Sequence, residues 1–268
     1  MKLTLLGTGA ADGIPAFHGN CRICKHAREK GGKDVRTRTA AIVDRIIKID
    51  LGPDTLPQLH QNGMTASEWS AVLFTHSDDD HFAYNELQYA LYPFTDMDHL
   101  GFTIYGNGTV VARLRERYPD WPMEFVQTKS FCSFDHAGYE ITPFQAKHMC
   151  GEDAHNFMVE RGGRKLLYCS DTGIWEAPTW AFLKGQEADA IVIECTDGFA
   201  PSGYDGHLAF ESCVEVVNRL RREGGLKRGA RVVTTHHSHR GNATHVELED
   251  ALRPHGIEPG YDGMILEI

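Results

Sequence analysis

The feature that most constrains this chain is a series of short apolar runs, rich in β-branched residues, that recur along its whole length. They are LTLLG at 3–7, AAIVD at 40–44, IIKID at 46–50, AVLFT at 71–75, FTIYG at 102–106, KLLYC at 165–169, AIVIE at 190–194, RVVTT at 231–235 and MILEI at 264–268. Each reads as a strand. Between them, apolar residues at helical spacing predict helices over roughly 53–61, 81–91, 108–117, 175–184, 209–223 and 244–253. The last two are clearest, with Phe210, Cys213, Val214, Val217 and Leu220 on one face, and Val246, Leu248 and Leu252 on another. Hairpin-like pairs at 40–50 and near 139–170 precede a stretch where strand and helix alternate, which predicts a layered α/β fold with sheets covered by helices. The 268 residues would make one large or two small domains at about 150 residues each. No Pro/Ser-rich linker, repeat or shift of composition divides them, so a single domain over 1–268 is expected.

Charge and cysteine usage narrow the setting. A formal net charge of -10 argues against a nucleic-acid binder, which would carry a basic stripe. Seven Cys is an odd number, and Lys2 leads directly into a strand pattern, so neither a disulfide framework nor an export signal is expected and a reducing cytoplasm is the expected compartment. No apolar stretch approaches the ~18 residues of a membrane span. Histidine is in excess, fifteen against eleven Pro, and imidazole is the commonest metal ligand.

The strongest local pattern is Thr75-His76-Ser77-Asp78-Asp79-Asp80-His81, between the run AVLFT and a helix predicted to start near Phe82. Two imidazoles and three carboxylates projecting from a strand end suit a divalent-metal site; the same acidic residues would also suit a helix N-terminus. Other runs end in the same residue types. KLLYCS leads into Asp171, RVVTT into His236, and ITPF reaches His148 three residues after Gln145. Strand ends of α/β proteins project side chains into a common crevice, and four such ends bearing His or Asp favour metal ligation over scattered surface polarity.

With these residues in view, HSDDDH followed by His148, Asp171 and His236 resembles the metallo-β-lactamase superfamily motif H-x-H-x-D-H with later His, Asp and His. The opening GTGAADGIP with its Cys-x-x-Cys, SDTG at 170–173, GHLAFES at 206–212, THHSH at 235–239 and GYDGM at 260–264 are similar to the cyclic-phosphodiesterase branch, which includes the phosphoribosyl cyclic phosphate phosphodiesterase of the carbon-phosphorus lyase pathway. The resemblance implies an αββα sandwich with two divalent ions, Mn, Zn or Fe, at the edge between the sheets. It assigns His76, Asp78 and His148 to the first metal, Asp80, His81 and His236 to the second, and Asp171 to a bridge. Position 78 departs from the pattern, because Asp stands where the family has His. Flavodiiron-type members also carry a carboxylate there, and a hard anionic oxygen favours Mn or Fe over Zn.

Cys21-Arg22-Ile23-Cys24 is by itself open to redox chemistry, a pair of unrelated thiols or zinc. The resemblance implies a structural zinc held by Cys21, Cys24 and His239, with His18 as fourth ligand in place of a missing Cys at Gly19, and His26 as the alternative. His207 reads either as a loop histidine or, by the resemblance, as the acid that protonates a departing alkoxide. His237 would face away if its segment stays extended. Tyr89, Tyr92, Phe94 and Trp175 read as an apolar wall for a base or other flat group, while the helical spacing of Tyr89 and Tyr92 suits core packing at least as well. GTGAADG lacks the residues of a phosphate loop and reads as a tight turn.

The expected activity is hydrolysis of a cyclic or small phosphodiester, with Asp80, His207 and Asp171 in the chemistry and water activated between two ions about 3.5–4 Å apart. Two alternatives stand beside it: hydrolysis of a lactone or thioester at the same centre, and non-hydrolytic metal binding on account of Asp78. The expected partner is the small phosphodiester itself, without membrane or nucleic acid, and a homodimer is left open.

Overall fold

The computed structural model describes residues 1–96, 101–122 and 124–268. In chain order the strands are β1 (Lys2–Gly7), β2 (Ala40–Val43), β3 (Ile47–Ile49), β4 (Ala71–Leu73), β5 (Thr103–Gly106), β6 (Phe125–Gln127), β7 (Phe134–His136), β8 (Tyr139–Gln145), β9 (His155–Arg161), β10 (Arg164–Cys169), β11 (Ala188–Glu194), β12 (Leu226–Thr235), β13 (Glu258–Pro259) and β14 (Ile265–Glu267). The α-helices are α1 (Arg22–Lys30), α2 (Thr55–Gln61), α3 (Gly108–Arg117), α4 (Ala177–Leu183), α5 (Phe210–Arg222) and α6 (His245–Leu252).

Two seven-stranded mixed sheets result, ordered β14-β1-β2-β3-β4-β5-β6 and β13-β12-β11-β10-β9-β8-β7. In the first, β3 to β6 run parallel; in the second, β10 to β13 do. The strand runs are almost continuously apolar because both faces of each sheet are covered. Alternate residues go to opposite layers: Leu3, Leu5, Leu73, Tyr168, Ala190 and Val192 pack between the sheets. Their neighbours Leu6, Val72 and Phe74 lie in a cluster that includes Leu59 of α2 and Val110 and Leu114 of α3. Leu167, Ile191 and Ile193 lie with Trp180 of α4, Val217 of α5 and Leu252 of α6. Helix, sheet, sheet and helix layers are the expected αββα sandwich.

Three local expectations are corrected. Val246 is exposed, and α6 instead buries His245, Leu248 and Leu252 behind a capping box in which Thr244 and Glu247 each bind the other's backbone N–H. The helix expected over 81–91 is a 3-10 segment, Tyr84–Ala90. Residues before it are held by Leu51, whose N–H donates to the His81 carbonyl while its own carbonyl accepts from Ala83 N–H. Helix α1 was not expected. It buries only Ile23, Cys24 and Ala27, too few apolar positions to stand out in a polar segment.

Candidate metal centre

The site forms where the carboxyl ends of strands from both sheets meet. Asp50 follows β3, His76 and His81 lie in the segment after β4, His148 follows β8, Asp171 follows β10, Glu194 ends β11, and His236 follows β12. Asp50, Asp171 and His236 each adopt positive φ, at 58°, 39° and 56°. Such a conformation is uncommon for residues with a side chain, and here it turns three strand ends toward one point.

Asp171 is the centre of the arrangement. Its Oδ2 lies 3.3 Å from His76 Nε2, 3.0 Å from His81 Nε2 and 3.9 Å from His148 Nε2, and its Oδ1 lies 2.8 Å from His236 Nε2. On one side Asp78 Oδ2 stands 3.5 Å from His76 Nε2 and 3.3 Å from His148 Nε2. On the other, Asp80 Oδ2 stands 3.2 Å from His81 Nε2 and 3.5 Å from His236 Nε2. The result is two clusters of two imidazoles and a carboxylate about a shared Asp171. All seven residues named from the catalytic-metal pattern are brought together.

The electrostatics suit cations. Burial and neighbouring His81 push His76 down, but Asp171 and Asp78 outweigh them and raise it to about 9. Burial likewise opposes His236, and Asp171 and Asp80 raise it to about 10. His148 and His76 hold the Asp78 carboxyl well below its usual range. His76 Nε2 and Asp171 Oδ1 are buried and make no aligned hydrogen bond among the described residues. Imidazole nitrogens and carboxylate oxygens converging in this way fit divalent metal ions, which would take the place of the ring protons, with Asp171 within reach of both clusters.

Residues behind the cage orient it. Asp50 Oδ2 lies 2.7 Å from His81 Nδ1 and also accepts from Thr75 Oγ1, which lies 2.9 Å from His76 Nδ1. The second sheet repeats the device: Glu194 Oε1 lies 2.8 Å from His207 Nδ1, while its Oε2 accepts from Thr196 Oγ1, itself 2.9 Å from His236 Nδ1. Both carboxylates are fully buried. Partners of this kind fix the ring orientation and tautomer of ligating histidines. Asp50 and Glu194 were absent from the expected set, although each is an acid at the end of an apolar strand, the same pattern that pointed to Asp171.

His207 is tilted against His148 and stacked near His236, at ring separations of 4.9 and 5.5 Å. Glu194 raises its pKa against the opposing effect of burial. His237 does turn from the cage, but not through extended backbone. The positive φ of His236 bends the chain there, and His237 Nε2 lies 3.2 Å from Thr234 Oγ1. Trp175 is no wall of the site: it is buried in the outer core, donating to Asn156 Oδ1 at 2.9 Å. Tyr89, Tyr92 and Phe94 are exposed rather than core.

Cys21, Cys24 and His239 form a second group of close potential ligands. Cys21 Sγ lies 3.4 Å from His239 Nδ1, and the other ring nitrogen lies 3.0 Å from Asp12 Oδ2. The Cys24 and Ile23 N–H groups at the start of α1, with His239, outweigh burial and lower the Cys21 thiol to about 7. His18 is not part of the group. The Ala16 to Gly19 turn sends it to the surface, where its ring packs on Phe17. His26 is also elsewhere, 3.3 Å from Asp34.

The family model described as "Beta-lactamase superfamily domain" matches residues 45–237, which span the whole cage. The chain belongs to the metallo-β-lactamase superfamily. Among solved structures of this fold, it is similar to a diphosphatase from the PhnP family (20% identity, TM-score 0.78, covering 100% of this chain and 97% of that one). It is likewise similar to Zn(2+)-bound PqqB from Methylobacterium extorquens (19% identity, TM-score 0.78, covering all of both chains). A superfamily hydrolase with candidate metal sites is what these findings establish. A curated relative named octanoyltransferase, from Porphyromonas gingivalis (strain ATCC BAA-308 / W83), is 25% identical over 98% of this chain and 51% of its own length. The chain thus spans about half the length of that relative. Among the described residues no helix is long and apolar enough to cross a membrane.

Proposed function

We propose that this protein is a metal-dependent phosphodiesterase acting on a cyclic or small phosphodiester. The observation that carries the reading is His207, a histidine locked at Nδ1 by buried Glu194 and set against the rings of two cage histidines. A cage of this composition with a proton donor at its rim suits displacement of an alkoxide. Divalent ions in the cage would activate water and neutralise phosphoryl charge.

The chain's own residues do the rest. Asp171, facing both imidazole pairs, sets the spacing of the two clusters, and Asp78 and Asp80 complete them. Asp78 gives its cluster a hard oxygen, which favours Mn or Fe there over Zn. With Nδ1 engaged by Glu194, His207 offers Nε2 to the departing oxygen and gives it a proton, and the Glu194 carboxylate favours the protonated ring. Cys21, Cys24 and His239 would hold a structural zinc, which would tie α1 to the loop after β12. Similarity to the PhnP-family diphosphatase supports phosphorus chemistry. Assay of the Mn-loaded and chelator-treated protein on cyclic and linear phosphodiesters tests the reading, and a loaded protein that cleaves none of them overturns it.

A second reading, hydrolysis of an acyl ester such as a lactone or thioester, is favoured by one feature. An apolar cavity of about 390 Å³ is lined by Leu51, Leu59, Trp69, Leu87 and Phe102. Leu51 follows Asp50, behind the cage, and the octanoyltransferase name of the half-matching relative suits an acyl group. Cleavage of an octanoyl thioester in preference to any phosphodiester decides for this reading.

A further inference from the structure

The turn between Gly203 and His207 is latched to the segment carrying His148 by three contacts. The Tyr204 hydroxyl donates to the His148 carbonyl at 3.0 Å, His148 Nδ1 donates to the Gly206 carbonyl at 3.2 Å, and Lys147 Nζ pairs with Asp205 at 2.9 Å. Tyr204 lies folded over Gly206, where an added Cβ would collide with the phenol ring. Its ring is edge-on to His207 at 5.5 Å and to His148 at 6.1 Å, and 48% of the residue remains exposed. The cage is otherwise closed: His76, His81, Asp171 and His236 are buried, whereas Asp78 and His207 reach the surface on the side where Tyr204 stands.

This placement bears on the leaving group, and the argument rests on the phosphodiesterase reading. The departing oxygen must come within hydrogen-bond reach of His207 Nε2. Whatever that oxygen carries must then run outward past His207, because the cage walls off every buried direction. Tyr204 flanks that path, and its hydroxyl is fixed at the far end, so its ring is held in place before substrate arrives. We propose that Tyr204 is a specificity-determining residue whose exposed ring packs against a flat, aromatic or heteroaromatic leaving group. Lys147, tied to Asp205 and to Glu176 at 3.6 Å, steadies the turn rather than reading the substrate.

The test is calorimetric binding of benzyl phosphate and cyclohexylmethyl phosphate to the metal-loaded protein, since the two differ in flatness and little in size. The wild type should bind the benzyl ester about 3- to 10-fold more tightly, the range an aromatic pair contributes. Tyr204→Ala should abolish the preference with unchanged metal content, and Tyr204→Phe should keep most of it. Equal affinities in the wild type, no binding of either ester, or a preference that survives in Tyr204→Ala overturns the proposal. Turnover of the matching methyl diesters, measured in parallel, reports separately on the phosphodiesterase reading: a binding preference without cleavage refutes that reading and leaves the aromatic wall standing.

Discussion

Glu194 Oε1 lies 2.8 Å from His207 Nδ1, and both oxygens of this fully buried carboxylate are occupied by groups of the site. One residue at the end of β11 therefore orients the His207 ring directly and, through Thr196, the ring of His236. Asp50 at the end of β3 does the same for His81 and, through Thr75, for His76. Each sheet thus brings one buried acid to the same edge of the sandwich.

His207→Ala should lower turnover by roughly 100-fold, the usual contribution of a positioned acid, with metals still bound. Glu194→Gln should lower it by about 10- to 100-fold, the range of lost orienting partners. The two losses should be less than additive in the double variant, because part of the Glu194 effect runs through the His207 imidazole, the remainder running through Thr196 to His236. Steady-state kinetics with metal analysis on all three variants checks this; additive losses would show that Glu194 acts elsewhere.

Asp171→Ala should lose metal and activity together, since both clusters face this one side chain. Asp78→His should instead keep two metals and raise the Zn-to-Mn affinity ratio by about 10-fold, because imidazole is the softer donor. Mass spectrometry of metals per chain after competitive loading reads both outcomes. An unchanged ratio in Asp78→His would show that Asp78 is no ligand.

Cys24→Ser should lower the melting temperature by roughly 5 °C, the shift expected for a loss on the order of 2 kcal/mol in a chain of this size, while activity at low temperature is retained. Cys24 is buried beside the turn that returns the chain from Ala16, whose N–H meets its sulfur at 3.4 Å. Equal melting curves for the two proteins would count against a structural zinc.

Acid should destabilise the fold through His245. Burial first, then Arg36 and Lys33, bring its pKa down to about 4, and Arg36 Nη2 donates to its Nδ1 at 3.1 Å. The unfolded chain takes up this proton near the ordinary value of about 6.5, so between those values the unfolded state binds more protons. The stabilisation is complete above about pH 6.5 and is lost as pH falls toward 4, on the order of 2 kcal/mol in all. Urea titrations of the wild type and His245→Gln across this window should show a shallower slope in the variant.

The layered fold was legible because strands covered on both faces are almost wholly apolar, and all nine such runs became strands. The strands that escaped notice singly, such as β6 and β7, are three residues long and partly exposed, which leaves no contiguous apolar signal. Residues of the cage were legible where a strand end carried His or Asp beside a recognisable pattern. Asp50 and Glu194 carried the same mark but lay outside the motif, and their role depends on which side chains the two sheets bring face to face. His18 shows the converse error: proximity in sequence to a Cys pair does not survive a turn that points the ring outward. Tyr204 had no sequence mark, since its place depends on the latch between two loops 56 residues apart.

The central claim is tested most directly by one assay: cleavage of a panel of cyclic and linear phosphodiesters by the protein as purified, after chelation, and after reloading with Mn. The account predicts cleavage of at least one phosphodiester that chelation abolishes and Mn restores. Activity indifferent to chelation, or none on any phosphodiester from a protein shown to carry its metals, would contradict it.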